Sequence, residues 1–156
     1  MNASLNHVEI AARIPHAGNM CLLDSMQRAS ETEIVCSAVS HRDHDNPLRS
    51  HGRLGAAVAV EYAAQAMALH GSIQNADLDV YARGGRLINV RQLTLHRARF
   101  DDLVSPLTVQ AARLMGDVGN VIYSFEVSAD GQMIASGRAG VMLVANDNEN
   151  DNGRGQ

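Results

Sequence analysis

The sequence predicts a single α+β domain in which one long helix is covered by an antiparallel sheet. Three observations carry this. Leu54 to Leu69 is rich in alanine and apolar on every side, the pattern of a helix enclosed by other elements. The chain before and after it breaks into short runs with strand character, divided by Gly, Asp and Asn turns. No other helical segment is long enough to cover a sheet, so the economical packing wraps the sheet around this one.

Taken in order, residues 5–13 (LNHVEIAAR) read as a short helix stopped by Pro15. Residues 20–29 (MCLLDSMQRA) and 32–40 (TEIVCSAVS) read as two strands joined by a polar turn. In the second, Ile34, Cys36 and Ala38 share a face. Residues 41–53 (HRDHDNPLRSHGR) contain Asn-Pro and three histidines and read as a loop. The central helix follows, with Gly71 placed where a C-terminal cap belongs. Residues 72–85 read as a loop leading into Arg86. Gly84-Gly85 lacks the length and the strand-to-helix setting of a nucleotide loop. The last third reads as a meander of four strands: Leu87–Arg97, Pro106–Met115, Val121–Ala129 and Gln132–Val144. Gly116–Asn120 and Asp130-Gly131 supply turn signals. Residues 1–145 make the domain; 146–156, polar and low in complexity, make a disordered tail.

Composition narrows the function. The net charge is −4, which argues against a general nucleic-acid binder. All 13 basic residues are arginine, which excludes chemistry built on a lysine amine. Cys21 and Cys36 form no CxxC motif, and the N-terminus has no basic start with an apolar run, so a reduced, cytoplasmic chain is expected. Both cysteines suit apolar packing better than nucleophilic chemistry. Methionines 20, 26, 67, 115, 133 and 142 suit core packing better than an acyl tunnel. The seven histidines and two cysteines show no paired-ligand spacing, so zinc is not expected; no cofactor is expected either. No apolar run reaches the roughly 18 residues that span a bilayer.

Within the helix, VEYAAQAMAL holds one carboxylate, Glu61, and one amide, Gln65. Four residues apart, they lie on one face. A carboxylate in so apolar a setting is expensive, and desolvation favours its protonated form. A carboxylic acid kept protonated is what a general acid needs. Gln65 would orient it or bind a substrate group.

These residues carry a resemblance. Glu61-Tyr62-Ala63-Ala64-Gln65 is similar to the ExxAQ signature of the hotdog-fold 3-hydroxyacyl-[acyl carrier protein] dehydratases. Ile14-Pro15-His16 through Leu22-Leu23-Asp24 resembles the "PH…LLxD" opening of the same enzymes, at similar spacing. Within the superfamily, the EYxAQA helix and the strand LTLHRARFD resemble the dehydratase-like proteins of aryl-polyene pigment clusters. The resemblance covers residues 10–145. It implies a hotdog fold, with protomers joined edge to edge and active sites at the interface. It implies elimination of water from a 3-hydroxyacyl thioester on an acyl carrier protein, with Glu61 as general acid. Backbone N–H groups near Gly55 and Ala56, at the positive helix end, would polarise the thioester carbonyl.

One departure stands out. The housekeeping enzymes place their histidine in a GHFPG block fourteen residues before the acid, where this chain has Pro47. His51, just ahead of the helix, is the expected base; His44 and His16 are the other candidates. Two further readings stay open: an acyl-thioester hydrolase on the same fold, and a non-catalytic subunit paired with an active dehydratase. The dimer is accordingly a homodimer or a heterodimer with a second dehydratase. Arg83, Arg86, Arg91, Arg97 and Arg99 form a candidate docking surface for the acidic carrier and its phosphopantetheine arm.

Overall fold

The computed structural model describes residues 4–14, 18–74, 85–116 and 119–143. The disordered tail assigned to 146–156, the boundary at 145, His16 and Arg83 lie outside these residues.

The chain opens with a two-residue strand, β1 (Leu5–Asn6), and a short helix, α1 (His7–Ala11). Asn6 and Glu9 form a reciprocal capping box, which fixes the start of α1 two residues later than the sequence predicts. β2 is Ser25–Ala29 and β3 is Glu33–Ala38. The predicted strand over 20–29 is therefore only half formed: Gly18–Met20 is a 3-10 turn and 21–24 has no regular structure. A 3-10 turn over Ala56–Val58 leads into α2 (Ala59–Gln74). Four strands follow: β4 (Gly85–Leu95), β5 (Leu107–Gly116), β6 (Asn120–Ala129) and β7 (Gln132–Leu143).

All seven strands form one antiparallel sheet in the order β1-β2-β3-β5-β6-β7-β4. Here the meander expectation is corrected. β5, β6 and β7 do run as a meander, but β4 pairs with β7 at the far edge, not with β5. α2 touches β3, β4, β5, β6 and β7, so the sheet has to curl around it. This is the hotdog arrangement, an α+β fold.

The alternation that predicted the strands is the one that fills the core. Leu107, Val109 and Ala111 of β5 face inward, as do Val121, Tyr123, Phe125 and Val127 of β6. At Gly137 an added Cβ would lie 2.8 Å from the Phe125 ring, so glycine there lets that ring pack close against β7. Asp130 and Gly131, at φ +53° and +74°, make the tight β6–β7 turn. Cys21 and Cys36 are free and buried, and burial pushes the Cys36 thiol up to about 12.

The expected cap at Gly71 is also corrected. Gly71 is buried inside α2, which continues to Gln74. Two contacts carry the helix past it. His70 Nε2 lies 2.8 Å from the Ser30 carbonyl, and Gln74 Nε2 donates to the same oxygen at 3.0 Å. Such tertiary contacts outweigh the roughly 1 kcal/mol helix penalty of glycine.

Candidate active site

The start of α2 is held by a small ladder. Phe100 N–H donates to Leu54 O at 2.8 Å, and Ala56 N–H donates to Ala98 O at 3.0 Å. Leu54 N–H donates to Asp101 Oδ1 at 2.9 Å. The Arg99 guanidinium grips the Asp101 carboxylate through Nε and Nη2 and holds it well below the usual carboxylate range. Gly55 is therefore extended, at φ −63° and ψ 146°, and the helix begins after it.

This geometry revises one expectation. The Ala56 N–H is committed to Ala98 and cannot polarise a substrate carbonyl. The N–H groups of Gly55 and Ala57 flank it and have no backbone acceptor among the described residues. Both residues are exposed, and an added Cβ at Gly55 would meet nothing within 4 Å. Two backbone donors with no backbone acceptor among the described residues thus stand at the positive end of a helix, beside open space at Gly55.

Glu61 lies in the first turn of α2, where a carboxylate suits the helix dipole. It is half-buried, less enclosed than the apolar run around it suggests. Gln65 Nε2 donates to Glu61 Oε1 at 3.4 Å. Gln65 itself is fully buried. Its Oε1 accepts from Leu22 N–H at 2.8 Å and its Nε2 donates to Met20 O at 2.7 Å. The amide thus acts as a rung between the helix and the segment 20–22. The two sequence blocks that carry the resemblance meet here, and Gln65 joins them. Its polar atoms are spent on the protein, which makes it a positioning group rather than a substrate ligand.

A second chain of bonds holds the same segment. Ser40 Oγ donates to Leu22 O at 2.7 Å, so Tyr62 OH, 2.8 Å away, donates to Ser40. Asn46 Nδ2 donates to the Tyr62 oxygen at 3.3 Å and to Ser40 O at 2.9 Å. Tyr62 is fully buried, and burial raises its pKa. Ser40, Asn46 and Tyr62 were missed as site residues. Asn46 stands beside a proline in a polar stretch, which reads as surface loop, and only a phenol inside an alanine-rich helix hinted at a buried partner.

The histidines divide. His51 is exposed, at φ +52°, followed by Gly52 at +74°. Reciprocal bonds between Ser50 and Arg53, at 2.8 and 3.0 Å, make His51 the apex of a tight turn. Its Nδ1 lies 3.2 Å from Ser50 Oγ. His44 lines a separate groove of about 500 Å³ with Arg42, Arg49, Gly52 and residues 101–104. A cleft of about 350 Å³ opens beside Leu22, Ser40 and Asn46 and carries Asp24, Asp43 and His7. Glu61 lines neither. Of the arginines, Arg97 pairs with Asp102 and Arg99 with Asp101, which leaves Arg91 as the free guanidinium among these described side chains.

Comparison with known proteins agrees with the fold. A protein-family profile described as ApeP-like, ApeP dehydratase, matches residues 8–151. The dehydratase heterocomplex ApeI:P from Xenorhabdus doucetiae superposes with a TM-score of 0.76 at 22% identity, covering 86% of this chain and 90% of that one. Zebra fish thioesterase superfamily member 2 gives 0.61 at 13% identity, covering 90% and 99%. A thioesterase from Haemophilus influenzae gives 0.57 at 14% identity, covering 77% of each chain. No curated protein matches the chain. Among the described residues, no helix is long and apolar enough to cross a membrane.

Proposed function

Because the chain belongs to the ApeP-like dehydratase family, we propose that it removes water from 3-hydroxyacyl thioesters carried on the phosphopantetheine arm of an acyl carrier protein. In this reading the thioester carbonyl accepts from the Gly55 and Ala57 N–H groups, which stabilise the enolate-like charge that develops. A base takes the C2 proton, the C3–O bond breaks, and Glu61 gives its proton to the departing hydroxyl. The products are water and an enoyl thioester. The observation that carries the reading is the half-buried Glu61, bonded by Gln65 in the first turn of α2, with the Gly55 and Ala57 N–H groups, which have no backbone acceptor among the described residues, at the start of the same helix.

His51 is our candidate for the base. Its exposed turn precedes the helix and presents the imidazole outward, where a site completed by a second chain can use it. A second hotdog chain along the β4 edge supplies that completion, as a copy of this chain or as a second dehydratase. The edge position of β4 supports it, and the Xenorhabdus relative works as a dehydratase heterocomplex.

The test is direct. Purified protein, alone and with a co-expressed dehydratase, is given a 3-hydroxyacyl thioester, and enoyl absorbance is followed. Glu61→Gln in this chain should reduce the rate of whichever form is active by at least about 100-fold, with folding unchanged. Undiminished enoyl formation excludes Glu61 as the acid. Release of free thiol without enoyl product favours hydrolysis instead.

A further inference from the structure

β4 ends the sheet, so one side of its backbone has no neighbouring strand. Bulges interrupt it between Leu87 and Asn89 and between Arg91 and Thr94. Asn89-Val90-Arg91 is the regular stretch between them. Leu87 and Leu95 stand opposite the buried Val141 and Ala135, on the face that covers the core, yet they are 39% and 40% exposed. Nothing among the described residues covers these two ends of the inner face.

The outer face of the same stretch carries an anomaly. Arg91 stands directly opposite Arg138 of β7, and both are exposed. Neither side chain makes a hydrogen bond or ion pair among the described residues. Glu126 of β6 lies opposite Ser136, two residues along β7 from Arg138, and forms no ion pair with it. Like charges directly opposite on neighbouring strands destabilise a sheet. β4 itself, GRLINVRQLTL, contains no acidic residue.

Pairing two copies of this chain aggravates the conflict. An antiparallel pairing centred on Val90 makes the two Arg91 side chains diagonal neighbours, with an Arg138 behind each. Four guanidiniums then line one row, with no carboxylate on either edge strand. We infer that the β4 edge selects a second chain whose matching edge strand bears carboxylates, and that it disfavours a second copy of this chain. The inference rests on the proposal that a hotdog partner adds along β4, and it supplies the rule by which that partner is chosen.

The experiment uses this chain alone. Wild type, Arg91→Glu/Arg138→Glu, and an equimolar mixture are examined by sedimentation at about 0.05 M and 0.5 M salt. The mixture should form a one-to-one dimer at least about tenfold tighter than wild type with itself, and the advantage should shrink at high salt. Arg28→Glu, on β2 near the other end of the sheet, reverses a single charge away from β4 and should not produce the effect. Should the double variant fail to fold, Arg91→Gln alone should strengthen self-association. The inference is overturned if wild type self-associates as tightly as the mixture, if salt leaves the difference unchanged, or if Arg28→Glu pairs as well. An active homodimer indifferent to salt would sink this inference and leave the dehydratase reading intact. A chain that pairs as described but never forms enoyl product would do the reverse.

Discussion

Replacing Gln65 tests whether its amide holds the site together. In Gln65→Leu the side-chain volume is nearly kept, so packing changes little. The Leu22 N–H, which is buried, loses its acceptor, and the Met20 carbonyl, half-buried, loses its donor. A buried donor without a partner costs about 1–3 kcal/mol, and a carbonyl that water can reach costs about 1. The expected loss is therefore about 2–4 kcal/mol, or roughly 5–10 °C in melting temperature for a domain of this size. Gln65→Glu refines the test. The introduced carboxylate still accepts from Leu22 N–H, but its second oxygen faces the Met20 carbonyl and the Glu61 carboxylate. Protonation replaces that repulsion with a bond to Met20. Burial and two facing oxygens raise the folded pKa of the introduced group above its unfolded value. Its destabilisation relative to wild type should then be largest near pH 8 and shrink as pH falls. Urea unfolding of the three proteins across pH measures both effects. A Gln65→Leu protein within about 0.5 kcal/mol of wild type, or a Gln65→Glu deficit that grows in acid, would refute the clamp.

Two more outcomes are expected. His70 is fully buried; Ser30 O can only accept, so His70 Nε2 carries the proton, and Nδ1 accepts from Tyr123 OH at 2.7 Å. Burial lowers the pKa of His70 and of the equally buried His41, so the unfolded chain binds protons that the folded chain refuses. Unfolding free energy should fall as pH drops below about 6.5, at up to about 1.4 kcal/mol per pH unit per histidine; His70→Gln should flatten the curve, and a flat wild-type curve would contradict the assignment. Gly55→Ala should change stability by less than about 0.5 kcal/mol, because φ is ordinary and the added methyl meets open space. The same variant should lower enoyl formation if substrate occupies that space, and unchanged kinetics would move the carbonyl site elsewhere.

What the sequence revealed depends on how local the cause was. The α2 helix was legible because alanine content and all-round apolarity are properties of the segment itself. The pairing of Glu61 with Gln65 was legible because four residues are one helical turn. The partners of Gln65 were not, since Leu22 is 43 residues away and offers only backbone. Gly71 misled because its local preference for a cap lost to contacts at Ser30. The place of β4 beside β7 misled for a related reason: strand order depends on the whole sheet closing around α2, and adjacency in sequence suggested β5. His41 and Asn46 are buried within a stretch that reads as solvated from end to end, so nothing in its composition could mark them.

The turn at Ser50–Arg53 carries a conformational cost at its tip. A left-handed backbone at a residue bearing a Cβ carries strain of about 1–2 kcal/mol, which glycine would avoid and asparagine would reduce. Histidine occupies that position all the same, at the tip, with its ring in water. Histidine is among the few non-glycine residues enriched in this conformation, so the turn keeps an imidazole at its tip at a conformational cost that glycine would remove.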